Sequence, residues 1–210
     1  MHLVADRARA LIVPVACVLY SMAVGGSIRG QTQAASDWAA ADVRTARLSP
    51  SAFAALSSSL RDALSRRGCT IPQTSFRSDP HNVIVGAFTG PEARDVAVLC
   101  SRQRVSSILV FRGGSTASVD ELSPQPDIDR LQVVSGDGRI GFSREIAPID
   151  AAHIREYLEA SGGAVRTVEH AGIEDRFVSK TSMVWYWDGV RWIQIPGADD
   201  APMRSRSTRE

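Results

Sequence analysis

The sequence predicts an α+β fold: a single domain over residues 48–196, in which a mainly antiparallel sheet of about seven to nine strands, built from meanders and hairpins, carries two packed helices. Three observations predict it. Residues 82–88, 95–100 and 106–111 are short apolar runs separated by Gly-Pro and polar turns, the mark of a meander. Residues 50–67 and 150–161 instead repeat their apolar positions at helical spacing between capping residues. Residues 182–195 are two aromatic-rich runs about Asp188-Gly189, a pair preferred in two-residue hairpin turns.

From the N-terminus, Arg7 and Arg9 precede an apolar run from Ala10 to Val24 and then Gly25-Gly26-Ser27, the order of a secretory signal peptide over residues 1–34 with cleavage after Ala34. The run, about 15 residues, falls short of the ~20 that span a bilayer, so no stable membrane span is expected after cleavage. Pro14 stands three before Cys17, where a lipoprotein signal needs a branched aliphatic residue. An exported protein, periplasmic or extracellular, is expected. Cleavage also removes Cys17, leaving Cys69 and Cys100 in a chain bound for an oxidising compartment, which favours a disulfide over two buried thiols. Closing that loop, about 32 residues, would stabilise the fold by about 3 to 4 kcal/mol. Two cysteines so far apart, with no histidine nearby, lack metal-ligand spacing.

Residues 35–47 are alanine-rich, hold Trp38, and fit either a linker or a short helix. The first long helix is expected to take Ser49 as its cap and Pro50 as its first residue, with Leu48 and Phe53 as a staple. Phe53, Leu56, Leu60, Ala63 and Leu64 form its apolar stripe, and Gly68 stops it. The meander follows. Val83 to Val85 and Val96 to Leu99 are apolar without alternation, so both faces of these strands should be covered, as in central strands. The third run ends at Gly113-Gly114 and continues over 116–122, and Ser123-Pro124-Gln125-Pro126 should break the sheet. Leu131, Val133, Ile140 and Phe142 then alternate about Gly136-Asp137-Gly138, a second hairpin turn without the further acidic residues of a calcium loop. In the second helix, Asp150 caps, Ile149 and Ile154 staple, and Gly162-Gly163 terminate. Residues 197–210 read as a polar, disordered tail.

Gly86-Ala87-Phe88-Thr89-Gly90 followed by Asp95-Val96-Ala97-Val98 resembles half a blade of the FG-GAP repeat of secreted β-propellers. The likeness covers a strand-turn-strand unit of about 15 residues, whereas a propeller needs several four-stranded blades. Family members carry acidic or amide calcium ligands at the positions of Ala87, Thr89 and Pro91, so the resemblance implies no metal here. More widely, Gly68-Cys69-Thr70-Ile71-Pro72-Gln73, Val98-Leu99-Cys100-Ser101 and Trp185-Tyr186-Trp187 resemble exported bacterial proteins of uncharacterised activity.

With 24 basic and 23 acidic side chains the net charge is +1, so no global field steers the chain to nucleic acid or an anionic membrane. The sole lysine, Lys180, and the sole asparagine, Asn82, fit GC-rich coding. No Gly-rich phosphate loop, Gly-x-Ser-x-Gly elbow, His-Glu-x-x-His or paired cysteine motif is present, so no cofactor is expected. His153 with Glu156, and His170 with Glu174 and Asp175 in a turn-like segment around Gly172, are the acid-plus-imidazole groups suited to general acid–base chemistry. Pairing Trp187 with Val190 across the last hairpin puts Trp185, Trp187 and Trp192 on one face, as core or as a binding surface, and Val184, Tyr186, Ile193 and Ile195 on the other. The leading expectation is a non-enzymatic exported module that binds a protein or small-molecule ligand. The alternative is an extracytoplasmic enzyme using His170 with Glu174 or Asp175, joined by His153.

Overall fold

The structure, a computed structural model, describes residues 27–162 and 168–199. Most of the expected signal peptide, and the tail after residue 199, lie outside the described residues. The chain opens with α1 (Ser27–Arg44), β1 (Arg47–Leu48) and α2 (Ser58–Arg66), then β2 (Ile71–Pro72). The meander is β3 (Val83–Gly86), β4 (Asp95–Arg102), β5 (Val105–Phe111) and β6 (Val119–Pro126). A hairpin of β7 (Leu131–Val133) and β8 (Ile140–Phe142) leads into β9 (Arg144–Ile149) and α3 (Ala151–Ala160). The chain closes with β10 (Gly172–Phe177), β11 (Thr181–Trp187) and β12 (Trp192–Asp199). The fold is α+β, and every sheet among the described residues is antiparallel.

The expected single sheet is instead two four-stranded sheets, β3-β4-β5-β6 and β12-β11-β10-β9, with two-stranded pairs β1-β2 and β7-β8 beside them. Alternation along the strands sorts the side chains into layers. Ala97, Leu99, Ile108 and Val110 from the first sheet meet Ile146, Ile173 and the partly buried Trp185 and Trp192 from the second, in one inter-sheet core. On the other face of the first sheet, Val96, Val98, Cys100, Leu109 and Phe111 pack under Leu60 and Leu64 of α2. On the outer face of the second sheet, Val184, Tyr186 and Ile195 pack under Ile154 and Leu158 of α3. The order of layers is therefore helix, sheet, sheet, helix. Each fully buried leucine or isoleucine in them contributes about 1.5 to 3 kcal/mol. The unalternating apolar run in β4 is explained, because both of its faces are core. The same expectation for β3 is corrected: β3 is an edge strand, with Val85 exposed.

The long first helix is shorter than expected. Pro50–Ala52 makes one 3-10 turn, Phe53 turns extended (φ −109°, ψ 106°), and α2 starts only after Ser57, whose side chain accepts from the Leu60 N–H (3.3 Å). Phe53 and Leu56 nevertheless both reach the core under α2. Of residues 35–47, 35–44 are the end of α1 and Arg47 opens β1, with Ala41 and Asp42 buried, and the expected cleavage point after Ala34 falls inside this helix. The loop expected at 123–126 is instead the end of β6, where Ser123 takes a positive φ (50°), a register shift opposes it, and the prolines are tolerated because β6 is an edge. Likewise β12 runs on through Pro196 to Asp199, with a shift in its pairing to β11.

Cys69, just past α2, and Cys100 of β4 form a disulfide with Cα atoms 5.4 Å apart, both buried. A buried disulfide points to an oxidising, extracytoplasmic environment. Among the described residues no helix is long and apolar enough to cross a membrane.

Candidate functional site

A surface cavity of about 570 Å³ lies between the end of α1, the loop 73–80 and β8. Its wall is built by polar side chains that sequence periodicity does not register. Gln73 donates to the carbonyls of Ile71 (3.0 Å), Pro72 (3.2 Å) and His81 (3.1 Å), while the His81 N–H donates back to its side-chain oxygen (2.9 Å), which closes the two ends of the loop on each other. The buried His81 ring accepts at Nε2 from the Thr74 N–H (2.7 Å), so Nδ1 carries the proton and donates to the Asp79 carbonyl (2.8 Å). Asn82, at φ 73°, donates to the Pro72 (2.7 Å) and Arg144 (3.3 Å) carbonyls and accepts from the Ile146 N–H (2.9 Å). The only asparagine in the chain thus occupies a left-handed position and ties β3 to β9. The far side of the loop is held on β8 by the Ser75 N–H, which donates to the Phe142 carbonyl (2.8 Å), and a Cβ on Gly141 would stand 2.1 Å from Ser75 Oγ.

The floor of this cleft is apolar, with Ala41 and Phe142 buried and Leu48 and Ile140 half-buried. Its rim is cationic, with three arginines, Arg44, Arg77 and Arg139, against one aspartate, Asp79. Arg77 is already paired, with Asp79 (2.5 Å) and with Glu145 (3.0 Å), and the two carboxylates raise its pKa. Behind the cleft, Arg47 pairs with Asp42 (2.5 Å) and Asp127 (2.7 Å) and anchors α1. Burial lowers the Arg47 pKa, but its hydrogen bonds to Asp127 and Asp42 outweigh that and raise it.

A second cavity, about 470 Å³, lies on the outer face of the second sheet beside α3 and gathers Glu145, Asp150, His153, Tyr157, Glu174 and Arg176. A third, about 270 Å³, is lined by His170, Tyr186, Trp187 and Asp188 together with Thr89-Gly90-Pro91. Among the described residues no group of three or more His, Cys, Asp or Glu side chains is placed to hold a metal ion.

Comparison with protein-family models, curated proteins and solved structures finds no match.

The acid-plus-imidazole group read around Gly172 is taken apart by the fold. Glu174 and Asp175 lie within β10, not in a turn, and successive strand residues face opposite ways. Asp175 faces the inter-sheet core and forms a bidentate pair with the fully buried Arg144 (2.8 Å for both bonds). Glu174 faces α3, pairs with Arg176 (2.6 Å), and shares its cavity with His153 instead of His170. His170 sits in the third cavity and its Nδ1 lies 3.0 Å from the Ala171 carbonyl.

His153 is held by the residue that caps its helix. Asp150 accepts from the Ala152 (2.9 Å) and His153 (3.0 Å) N–H groups through Oδ1, and its Oδ2 meets His153 Nδ1 (3.0 Å). The hydrogen bond to Asp150 raises the His153 pKa, and the bonds from the His153 backbone and ring lower that of Asp150. The raised imidazole stabilises the cap fully below its unfolded value of about 6.5 and loses that effect as pH rises through its folded value. The depressed carboxylate contributes above its unfolded value of about 3.9 and is lost as pH falls through its folded one. The cap of α3 is therefore strongest between the two ordinary values. In an NMR titration, His153 should titrate above the ordinary imidazole value in the wild type and return to it in Asp150→Asn.

The last hairpin differs from the expected register. Trp187 pairs with Trp192, not Val190, and four residues, Asp188 to Arg191, close the loop. The Asp188 carboxylate accepts from the Val190 and Arg191 N–H groups (2.9 Å each), Gly189 takes φ 95°, and Val190 is 81% exposed. A shift of two residues preserves the faces, so Trp185, Trp187 and Trp192 still share one. Trp185 and Trp192 pack on the inter-sheet core, and Trp192 Nε1 donates to Asp120 (3.0 Å), whereas the buried Trp185 Nε1 has no partner among the described residues. Trp187 meets Trp192 edge-on (5.7 Å) and carries the Arg112 guanidinium on its ring (4.0 Å). Trp187→Ala should cost about 1 to 3 kcal/mol from these two contacts, read in urea melts. A melt indistinguishable from wild type would show that the ladder is not structural.

Proposed function

We propose that the protein is an exported, non-enzymatic binding module that takes its ligand in the cleft between α1, the loop 73–80 and β8. The observation that carries this reading is the hydrogen-bonded closure of the cleft wall, whose ends are joined by Gln73 and His81 and whose far side is tied to β8 by Ser75. A wall ordered before binding spares the ligand the entropic cost of ordering it, and a volume of about 570 Å³ lies within the range of small-molecule sites. Export is supported by the buried Cys69–Cys100 disulfide together with the charged, apolar and small residues in order at the N-terminus.

The location is tested by titrating the labelled protein with a fragment library and following amide shifts. Hits should cluster at Thr45, Ser75, Ser78 and Gly141, and clustering around Trp187 and His170 would move the site to the aromatic hairpin. Export is tested by mass spectrometry of cell fractions, which should find an N-terminus near Ala35 in the envelope or medium; an intact Met1 in cytosol would overturn it.

A second reading, an extracytoplasmic enzyme, rests on the Asp150–His153 pair (3.0 Å) opening on the same cavity as Glu174 and Tyr157. Hydrolysis of ester or amide probes with a pH profile that follows His153, lost in His153→Gln, would displace the binding-module reading.

A further inference from the structure

We propose that the ligand of this cleft is an anionic amphiphile, a molecule with one carboxylate or phosphate group on an apolar body, whose acid group is received by Arg44 and Arg139; the inference rests on the reading of the cleft as the binding site. The charge of the cleft is one-sided. The chain as a whole carries +1, yet the cleft is lined by three arginines and one aspartate, with every other lining residue uncharged. Asp79 and the Arg77 guanidinium neutralise each other (2.5 Å), and Arg77 is engaged a second time by Glu145. Arg44 and Arg139 remain. Both are exposed, and among the described residues neither guanidinium hydrogen-bonds to a carboxylate, although Arg139 lies in the field of Asp137.

Each guanidinium presents a planar fork of donors suited to a carboxylate or phosphate, which gains more from it than a neutral polar group does. Ser75 and Ser78 line the same cavity and add neutral polar groups, while the Thr45 hydroxyl donates to the Ala41 carbonyl (3.2 Å). A bare anion would leave the floor unused. Ala41, Leu48, Ile140 and Phe142 line the same cavity as the arginines, and desolvation of their apolar surface rewards a ligand that carries hydrocarbon behind its acid group. Gly141 keeps the wall close to this floor, since any side chain there would meet Ser75.

The test uses the folded full chain with decanoate, decyl phosphate, decanol and inorganic phosphate, each below its micellar concentration, followed by calorimetry and by the amide shifts of the cleft. Decanoate and decyl phosphate should bind about tenfold or more tightly than decanol, with shifts at Thr45, Ser75 and Gly141. Arg44→Gln/Arg139→Gln should reduce the two acids to the affinity of decanol at an unchanged melting temperature, because both side chains are exposed. Decanol binding in the cleft as tightly as decanoate would overturn the anionic class and leave the binding site standing. Inorganic phosphate matching decyl phosphate would overturn the apolar half of the proposal. Cleft amides unmoved by every probe would overturn both the proposal and the site on which it rests.

Discussion

Asp175→Asn should lower the unfolding free energy by about 3 to 5 kcal/mol, the cost of leaving a buried charge without its partner. Among the described residues Asp175 is the only carboxylate that hydrogen-bonds the Arg144 guanidinium, which is fully buried between the sheets and spends its remaining donors on the Ser106 and Ser123 carbonyls (2.7 and 2.8 Å). Arg130 makes the loss worse. Burial lowers the Arg130 pKa, Asp175 and Asp129 raise it, and Arg144 lowers it, so Arg130 lies in the field of both members of the pair. Removing that carboxylate leaves the buried Arg144 without its anion and in the field of the half-buried Arg130. Removing Arg144 instead leaves Asp175 with the field of Arg130 and the hydroxyl of Ser123 (3.0 Å), so Arg144→Met should cost less than Asp175→Asn. Denaturant melts of both variants and of Arg144→Met/Asp175→Leu check this. The double variant should be more stable than Asp175→Asn, and equal costs for the two single changes would remove the role given to Arg130.

Cys69→Ala/Cys100→Ala should cost about 3 to 4 kcal/mol, chiefly by freeing the unfolded chain between α2 and β4. The link spans 31 positions and lies in the core under α2, where Cys69 and Cys100 pack with Leu64 and Ile71. Wild-type protein in reductant should melt close to the double variant, whose own midpoint should not respond to reductant. A wild-type melt unchanged by reductant would remove the disulfide as a source of stability. Either of these two effects is a large part of the about 5 to 15 kcal/mol that stabilises a domain of this kind.

What could be read from residue order alone was the structure that neighbours decide. The cap Asp150 with its staple, the hairpin from Leu131 to Phe142, the meander strands and the two cysteines all depend on residues a few places apart, or on compartment chemistry. Even the misread turn at Asp188 kept the three tryptophans on one face, because only the parity of the register matters for that. Tertiary structure decided the rest. The division of one expected sheet into two, the break at Phe53 and the separation of Glu174 from Asp175 follow from which surfaces meet, and alternation does not name the partner. The cleft was missed for the same reason. Arg44 and Arg139 come from a helix end and a hairpin turn, and the wall between them is set by Gln73 and His81 within a segment that reads as irregular. The bonds that hold the layers together, such as Arg144 to Ser106 and Asn82 to Ile146, join residues 38 and 64 positions apart. Periodicity extends over a few turns or strands, so pairings at that distance leave no trace in it.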